Sequence, residues 1–157
     1  MSTKELIRVL DEANVDYDLL AHAHTESAAD EADALGLSPD EVAKTLVVTT
    51  PDGYVRAVVP ASCRIDLHKL REARGSGGRH SVHLATEDRL REDYSDFELG
   101  AVPPVGGTRK DPVVVDSRIA ERDSVVIEAG SHEQSIRLKA SDLVRAANAQ
   151  VADICEE

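Results

Sequence analysis

Two places in this chain carry residue types that packing explains poorly. The first is Lys44, where the short capped segment Ser38-Pro-Asp-Glu41 gives way to the β-branched run Thr45–Thr50. A lysine at a helix C-terminus complements the helix dipole. A lysine at the mouth of a cleft brings positive charge to a developing anion. Both readings stand on the sequence. The second place is Gly100-Ala-Val-Pro-Pro-Val-Gly-Gly107. Two prolines and three glycines fit neither a helix nor a central strand. Pro103 and Pro104 have no N–H, so backbone donors must come from Gly100, Ala101, Val102, Val105, Gly106 and Gly107. A rigid Pro-Pro between glycines can aim such amides into a cleft, where they hold a carbonyl or an oxyanion. A surface turn between helix and strand is the alternative.

Other signatures are absent. The sequence holds no Gly-x-Gly-x-x-Gly, Walker loop, His-Glu-x-x-His or Gly-x-Ser-x-Gly. Cys63 and Cys155 have no histidine or cysteine at metal-ligand spacing, so packing cysteines are expected, with no disulfide framework, metal site or cofactor. His22 and His24 precede Thr25-Glu-Ser27, where Thr25 can cap a helix or line a pocket. His132 reads as an exposed turn histidine, with a general base as the alternative; His68, His80 and His83 read as surface or RNA-facing.

The elements that must position these residues follow from periodicity and punctuation. A helix runs from the capping box Ser2–Glu5 to about Ala13, with Leu6, Val9 and Leu10 on one face. Tyr17–Leu20 reads as a strand, and Ser27 or Thr25 starts a helix ended by Gly36. Pro51-Asp-Gly53 joins Thr45–Thr50 to Tyr54–Val59 as a hairpin. Asp66 caps a helix to Arg74, Gly75–Gly78 is a break, and Val82–Leu84 is a strand. Thr86 opens a helix to about Tyr94. Val113–Val115, Ser124–Glu128 and Ser135–Leu138 are strands, and Ser141 caps a last helix burying Leu143, Ala147, Val151 and Ile154. Helices alternating irregularly with hairpin-linked strands predict an α+β fold with a mixed or antiparallel sheet, as one domain over residues 1–157.

The chain has 157 residues, 41 % of them apolar, and no run long enough to span a membrane. It begins without a basic-then-apolar leader, so the cytoplasm is the expected location. Thirty acids face eighteen bases, a formal charge of −12. Such a surface stays soluble and repels phosphate backbones. A salt-loving host explains it, as does an ordinary acidic surface. The charge is uneven: residues 64–80 hold Arg64, Lys69, Arg71, Arg74 and Arg79 against Asp66 and Glu72. Arg71, Arg74 and Arg79 are therefore the expected phosphate ligands if RNA docks.

Glu41-Val-Ala-Lys-Thr-Leu-Val-Val48, Val58-Val-Pro-Ala61, Ile65-Asp-Leu-His-Lys-Leu70, Gly100–Gly106, Ala129-Gly-Ser-His132, Ile136-Arg-Leu138 and Ser141-Asp-Leu143 occur in this order. Together they resemble the YbaK/prolyl-tRNA-synthetase-associated editing-domain family over nearly the whole chain. The resemblance implies a mixed, barrel-like sheet flanked by helices and hydrolysis of the ester joining a wrong amino acid to the 3′ end of a tRNA, with a proline tRNA as the family theme. It also implies aminoacyl-tRNA, and beyond it an aminoacyl-tRNA synthetase, as partners. By the same resemblance Lys44 faces the terminal adenosine or the ester, Gly100, Ala101, Val102, Pro103 and Pro104, with Gly106 beyond, form the aminoacyl-holding Gly-x-x-x-Pro loop, and Gly130 and Ser131 line a second turn of the pocket. Ser135 stands where the family often carries an acid or histidine. An aminoacyl ester is already activated, so orienting a water or ribose hydroxyl and stabilising an oxyanion suffice without a covalent nucleophile. A non-catalytic module that binds tRNA ends or nucleotides is the competing reading.

Overall fold

The computed structural model describes residues 2–25, 27–75 and 82–157, with Ser2 described for its backbone alone. Most of the expected glycine-rich break, together with Arg79 and His80, falls in residues 76–81 and lies outside the described residues.

Helix α1 (Ser2–Glu12) buries Leu6 and Leu10. Strand β1 (Tyr17–Ala21) leads to α2 (Ala28–Leu35). Ser27 is the residue that caps α2, accepting the Asp30 amide at 3.1 Å, and Gly36 ends it at φ 70°. Ser38 and Glu41 close the expected capping box, but around a single 3-10 turn (Pro39–Glu41). Strand β2 (Val42–Thr50) begins directly after it and pairs with β3 (Gly53–Pro60) across the Pro51–Gly53 turn. Lys44 is therefore the third residue of a strand, opposite Val59, and the helix-dipole explanation for it falls away. Helix α3 (Leu67–Arg74), capped by Asp66, and strand β4 (His83–Leu84) follow. Next come α4 (Glu87–Asp93), capped by Thr86, β5 (Val113–Asp116), the short α5 (Ser117–Ala120) and β6 (Ser124–Glu128). The chain ends with β7 (Gln134–Lys139), α6 (Ala140–Ala146) and β8 (Gln150–Ala152).

The eight strands form one mixed sheet in the order β1-β7-β6-β2-β3-β5-β8, with β4 added to β2. The β2/β6, β3/β5 and β5/β8 pairings are parallel and the others antiparallel. Strand β3 is buried on both faces, as its side-chain period of two requires. Val55, Ala57 and Val59 join a cluster with Leu70, Val114 and Ile154, while Val58 joins Leu6, Leu10, Ile127, Ile136 and Leu143 on the other side.

The end of the chain departs from expectation. Asn148 takes a left-handed φ of 48°, which stops α6. Val151 then becomes a strand residue paired with Val115 and is 45 % exposed, while Ile154 packs in the second cluster. Lys139, not Ser141, occupies the N-cap position, without a side-chain bond.

Candidate active site at the fork between strands β2 and β6

Strand β2 gives one edge to β3 along its length. Its other edge is shared. β6 runs parallel to it only at Val42 and Ala43, and β4 pairs only at Val48 and Thr49, with Ala85 donating to the Val47 carbonyl at 2.9 Å. Lys44, Thr45 and Leu46 thus lie in a fork with no partner strand on that edge among the described residues. The fork is a cleft of about 270 Å³. Lys44, Glu128, Gly100 and Val102 line it beside the apolar Leu46, Leu84 and Leu90. Lys44 and Glu128 each follow the last paired residues of their strands, Ala43 and Ile127, so divergence of the strands brings them to the same mouth. Among the described residues no hydrogen bond or ion pair holds the half-buried Lys44 ammonium, and its charge acts on Glu128.

Three loops are laced together at the floor of the cleft. The Glu98 amide donates to the Gly130 carbonyl at 3.0 Å, and the His132 amide donates to Glu98 Oε2 at 2.7 Å. His132 Nε2 lies 2.6 Å from the Leu99 carbonyl and so carries its proton there. The Thr25 amide donates to the His132 carbonyl at 3.0 Å, and the His22 amide to that of Glu133 at 3.0 Å. His132 is 9 % exposed and its ring lies 5.2 Å from that of His24, so it is a buried brace and not the expected solvent-facing turn residue. Gly100 takes a φ of 84°, a conformation that favours glycine and starts the loop at this junction.

The Gly100–Gly107 loop divides into two halves. Gly100, Ala101 and Val102 face the site. The Ala101 amide is occupied by the Glu98 carbonyl at 3.0 Å, so the amides of Gly100 and Val102 are the donors left to a ligand. Pro104 and Gly106, by contrast, line a second groove of about 930 Å³ with Arg8, Arg74, Arg109 and Lys110. The structure does not bring those two to Lys44. Pro103 turns its carbonyl inward, to Arg56 Nη1 at 3.1 Å.

Arg56 is the residue shaping this loop that sequence reading missed. It is 2 % exposed on β3. Its Nη2 donates to the Gly106 carbonyl at 2.7 Å and to that of Arg109 at 3.4 Å, and its guanidinium lies 5.0 Å from the Tyr94 ring centre. The planar fork thus ties the Pro103–Gly106 part of the loop to the sheet. Tyr94 donates to Asp111, which Arg109 grips in bidentate fashion at 2.7 and 3.1 Å. Burial and that acceptor push the Tyr94 phenol up to about 12.

Two buried acids complete the site. Glu31 of α2, 3 % exposed, takes the Ser135 hydroxyl on Oε2, and Ser135 is also 2.9 Å from His22 Nε2. Glu128 is 8 % exposed. Burial raises the pKa of both; Ser135, His22 and His132 oppose the shift at Glu31, while at Glu128 the Glu31 charge adds to it and Lys44 opposes it. The shift at Glu128 is large, which sets a stability prediction. A carboxyl whose folded pKa exceeds its unfolded one stabilises below the unfolded value and loses that contribution as pH rises through the folded one. Glu128→Gln should therefore match the wild type near pH 4 and be the more stable of the two at pH 8, with the higher Tm. Melting curves at the two pH values check this; equal Tm differences at both would refute it.

The remaining candidates are dispersed. Ser131 lines a small pocket with Thr25, Glu31, Ala101, Glu128 and His132, and Gly130, at φ 86°, shapes its turn. Arg71 and Arg74 lie on α3: Arg71 Nη2 is 2.7 Å from His68 Nδ1, and Arg74 donates to Gln150 at 3.1 Å beside the second groove. Burial pushes the Cys155 thiol up, away from nucleophilic use.

The model of the aminoacyl-tRNA editing domain matches residues 22–146. The chain belongs to that family. The matched span takes in Lys44, both buried acids and all of the Gly100–Gly107 loop. A 98-residue stretch is 26 % identical to the proline–tRNA ligase of Thermosipho melanesiensis, spanning 62 % of this chain but 17 % of the ligase. Among solved structures, the hypothetical protein APE2540 is 27 % identical with a TM-score of 0.87, covering 97 % of this chain and 99 % of its own. A candidate trans-editing enzyme for prolyl tRNA synthetase is 25 % identical with a TM-score of 0.85, covering 99 % and 98 %. The editing domain thus has the YbaK-like mixed α+β fold. No helix among its described residues is long and apolar enough to cross a membrane.

Proposed function

We propose that the chain is a trans-editing deacylase, hydrolysing the ester of a mischarged tRNA at the β2/β6 fork. The observation that carries this reading is the meeting of a lysine ammonium, unbonded among the described residues, with the loop segment Gly100–Val102 in one cleft. Lys44 and the Gly100 and Val102 amides supply positive charge and donors to the oxyanion, and the apolar wall of Leu46, Leu84 and Leu90 excludes bulk water. A proline tRNA carrying a wrong amino acid is the natural substrate to try first, since two of the similar proteins are a proline–tRNA ligase and a candidate trans-editing enzyme for prolyl tRNA synthetase. The test is release of amino acid from a panel of mischarged tRNAs. Release above the spontaneous rate is expected. Retention of charged tRNA without release would favour the non-catalytic module.

The tRNA body requires a basic surface on this acidic chain. Arg74 of α3 lines the groove that also holds Arg8, Arg109 and Lys110, and Arg71 lies three residues before it on the same helix. Changing Arg71 and Arg74 together to Glu should raise KM for aminoacyl-tRNA and flatten its salt dependence, because fewer counterions are released. A minimal 3′-aminoacyl-adenosine lacks the phosphates and should be hydrolysed at nearly the wild-type rate. Equal losses on both substrates would remove these arginines from docking.

A further inference from the structure

Glu31 Oε1 and Glu128 Oε2 are buried and have no hydrogen-bond partner among the described residues. Both side chains line the same small pocket, together with Thr25, Ala101, Ser131 and His132. Its volume of about 10 Å³ holds one water-sized group. Two buried carboxyls that line one such space, each with an unpartnered oxygen, are costly unless a cation or donor completes them. Glu31 is already fixed through its other oxygen, because Ser135 donates to Oε2, so Oε1 is held in place. Glu128 belongs to this pocket and to the Lys44 cleft at once, which makes the pocket a side chamber of the fork.

We propose that this chamber is the subsite for the α-ammonium group of the aminoacyl ester, held between Glu31 and Glu128. The inference rests on the deacylase reading for the identity of the ligand. In an aminoacyl ester the ammonium nitrogen and the ester carbonyl are separated by one carbon. A site with its cation at one side and its carboxyls at the other orients such a group in a single sense: carbonyl oxygen toward Lys44, ammonium toward the acids. The carboxyls favour an ammonium over an apolar group in the chamber, so the amino-acid side chain lies in the wider, apolar cleft against Leu46, Leu84 and Val102. The groups facing the chamber set its pH behaviour. Glu31 meets His22, His132 and Ser135, and Glu128 meets Glu31 and Lys44. Glu128 is protonated in the empty site above the ordinary glutamate range, so ammonium binding expels a proton and tightens as pH rises through that region. The same contact sorts substrates: peptidyl or N-acylated esters lack the charge and are refused.

The experiment uses two non-hydrolysable ligands, 3′-alanylamino-3′-deoxyadenosine and its lactyl counterpart, in which a hydroxyl replaces the ammonium. Calorimetry should show the wild type binding the alanyl compound about tenfold or more tightly than the lactyl one, the scale of one desolvated charge pair. The preference should shrink in each of Glu31→Gln and Glu128→Gln, and either variant suffices for the comparison. Equal affinity in the wild type, or an undiminished preference in both variants, overturns the subsite. Release of amino acid from mischarged tRNA is measured on the same preparation. A preference for the ammonium without release sinks the deacylase reading and leaves the subsite standing; release without the preference does the reverse.

Discussion

Lys44→Ala should slow deacylation of a mischarged tRNA by about 10²–10³-fold, the usual loss when one preorganised oxyanion partner is removed. The loss should fall on kcat with KM little changed, because the charge acts on the anion that develops and not on the bound ester. The fold should survive. Lys44 is half-buried, and no hydrogen bond or ion pair ties its ammonium among the described residues. Its charge favours the charged form of Glu128. Truncation therefore leaves Glu128 more fully protonated and should shift Tm by only a few degrees. Turnover near the wild-type rate in a folded variant would exclude Lys44 from the chemistry.

Arg56→Met should be the most destabilising single change near the site. Methionine matches much of the volume but leaves the Pro103 and Gly106 carbonyls without their donor. Breaking a buried charged network costs about 3–5 kcal/mol, a fall in Tm of roughly 10 °C for a chain of this size. Activity should fall as well, because the loop that begins at Gly100 loses its tie to β3. Arg56→Lys should recover little of either: an ammonium on a flexible stem cannot span two carbonyls as the planar fork does. Thermal melting with deacylation measured well below the variant's Tm separates the two effects. A variant that melts like the wild type would show that the loop holds its shape without the arginine.

Local chemistry was legible in the sequence wherever the signal was local. The Pro51–Gly53 turn, the caps at Ser27, Asp66 and Thr86, and strand β6 stand where the residues place them. Periodicity over-extends the last helix because Ala147, Val151 and Ile154 continue the spacing of Leu143, and a left-handed Asn148 leaves no trace in that pattern. The short α5 escapes a periodicity reading although its cap, Asp116, is visible; that carboxylate is fully buried and also takes the Ile154 amide at 2.9 Å. Lys44 and Gly100–Val102 stand out by type, yet their meeting depends on the divergence of β2 from β6, which no local pattern encodes.

The missed residues share one cause. Arg56 sits in Val55-Arg-Ala-Val-Val59, where a single charged residue in a hairpin strand reads as a solvent-facing position. The signal was its company: a strand apolar at both parities is covered on both faces, so an arginine within it needs buried partners. Glu31 lies in the acidic run Ala-Asp-Glu-Ala-Asp of α2 and reads as one more surface charge. Only the packing of α2 over β2, with Ala28 and Ala32 against Val42 and Val126, turns it toward Ser135. Its carboxylate then accepts from the Ser135 hydroxyl, which comes from another element.

The most direct test of the central claim is the hydrolysis of 3′-aminoacyl-adenosine, which presents the ester without the tRNA body. The account predicts release of amino acid well above the spontaneous rate by the wild type, near-complete loss in Lys44→Ala, and retention in the Arg71→Glu/Arg74→Glu double variant. No acceleration on this compound or on any mischarged tRNA would contradict the account, and the fork between β2 and β6 would then be a binding site without chemistry.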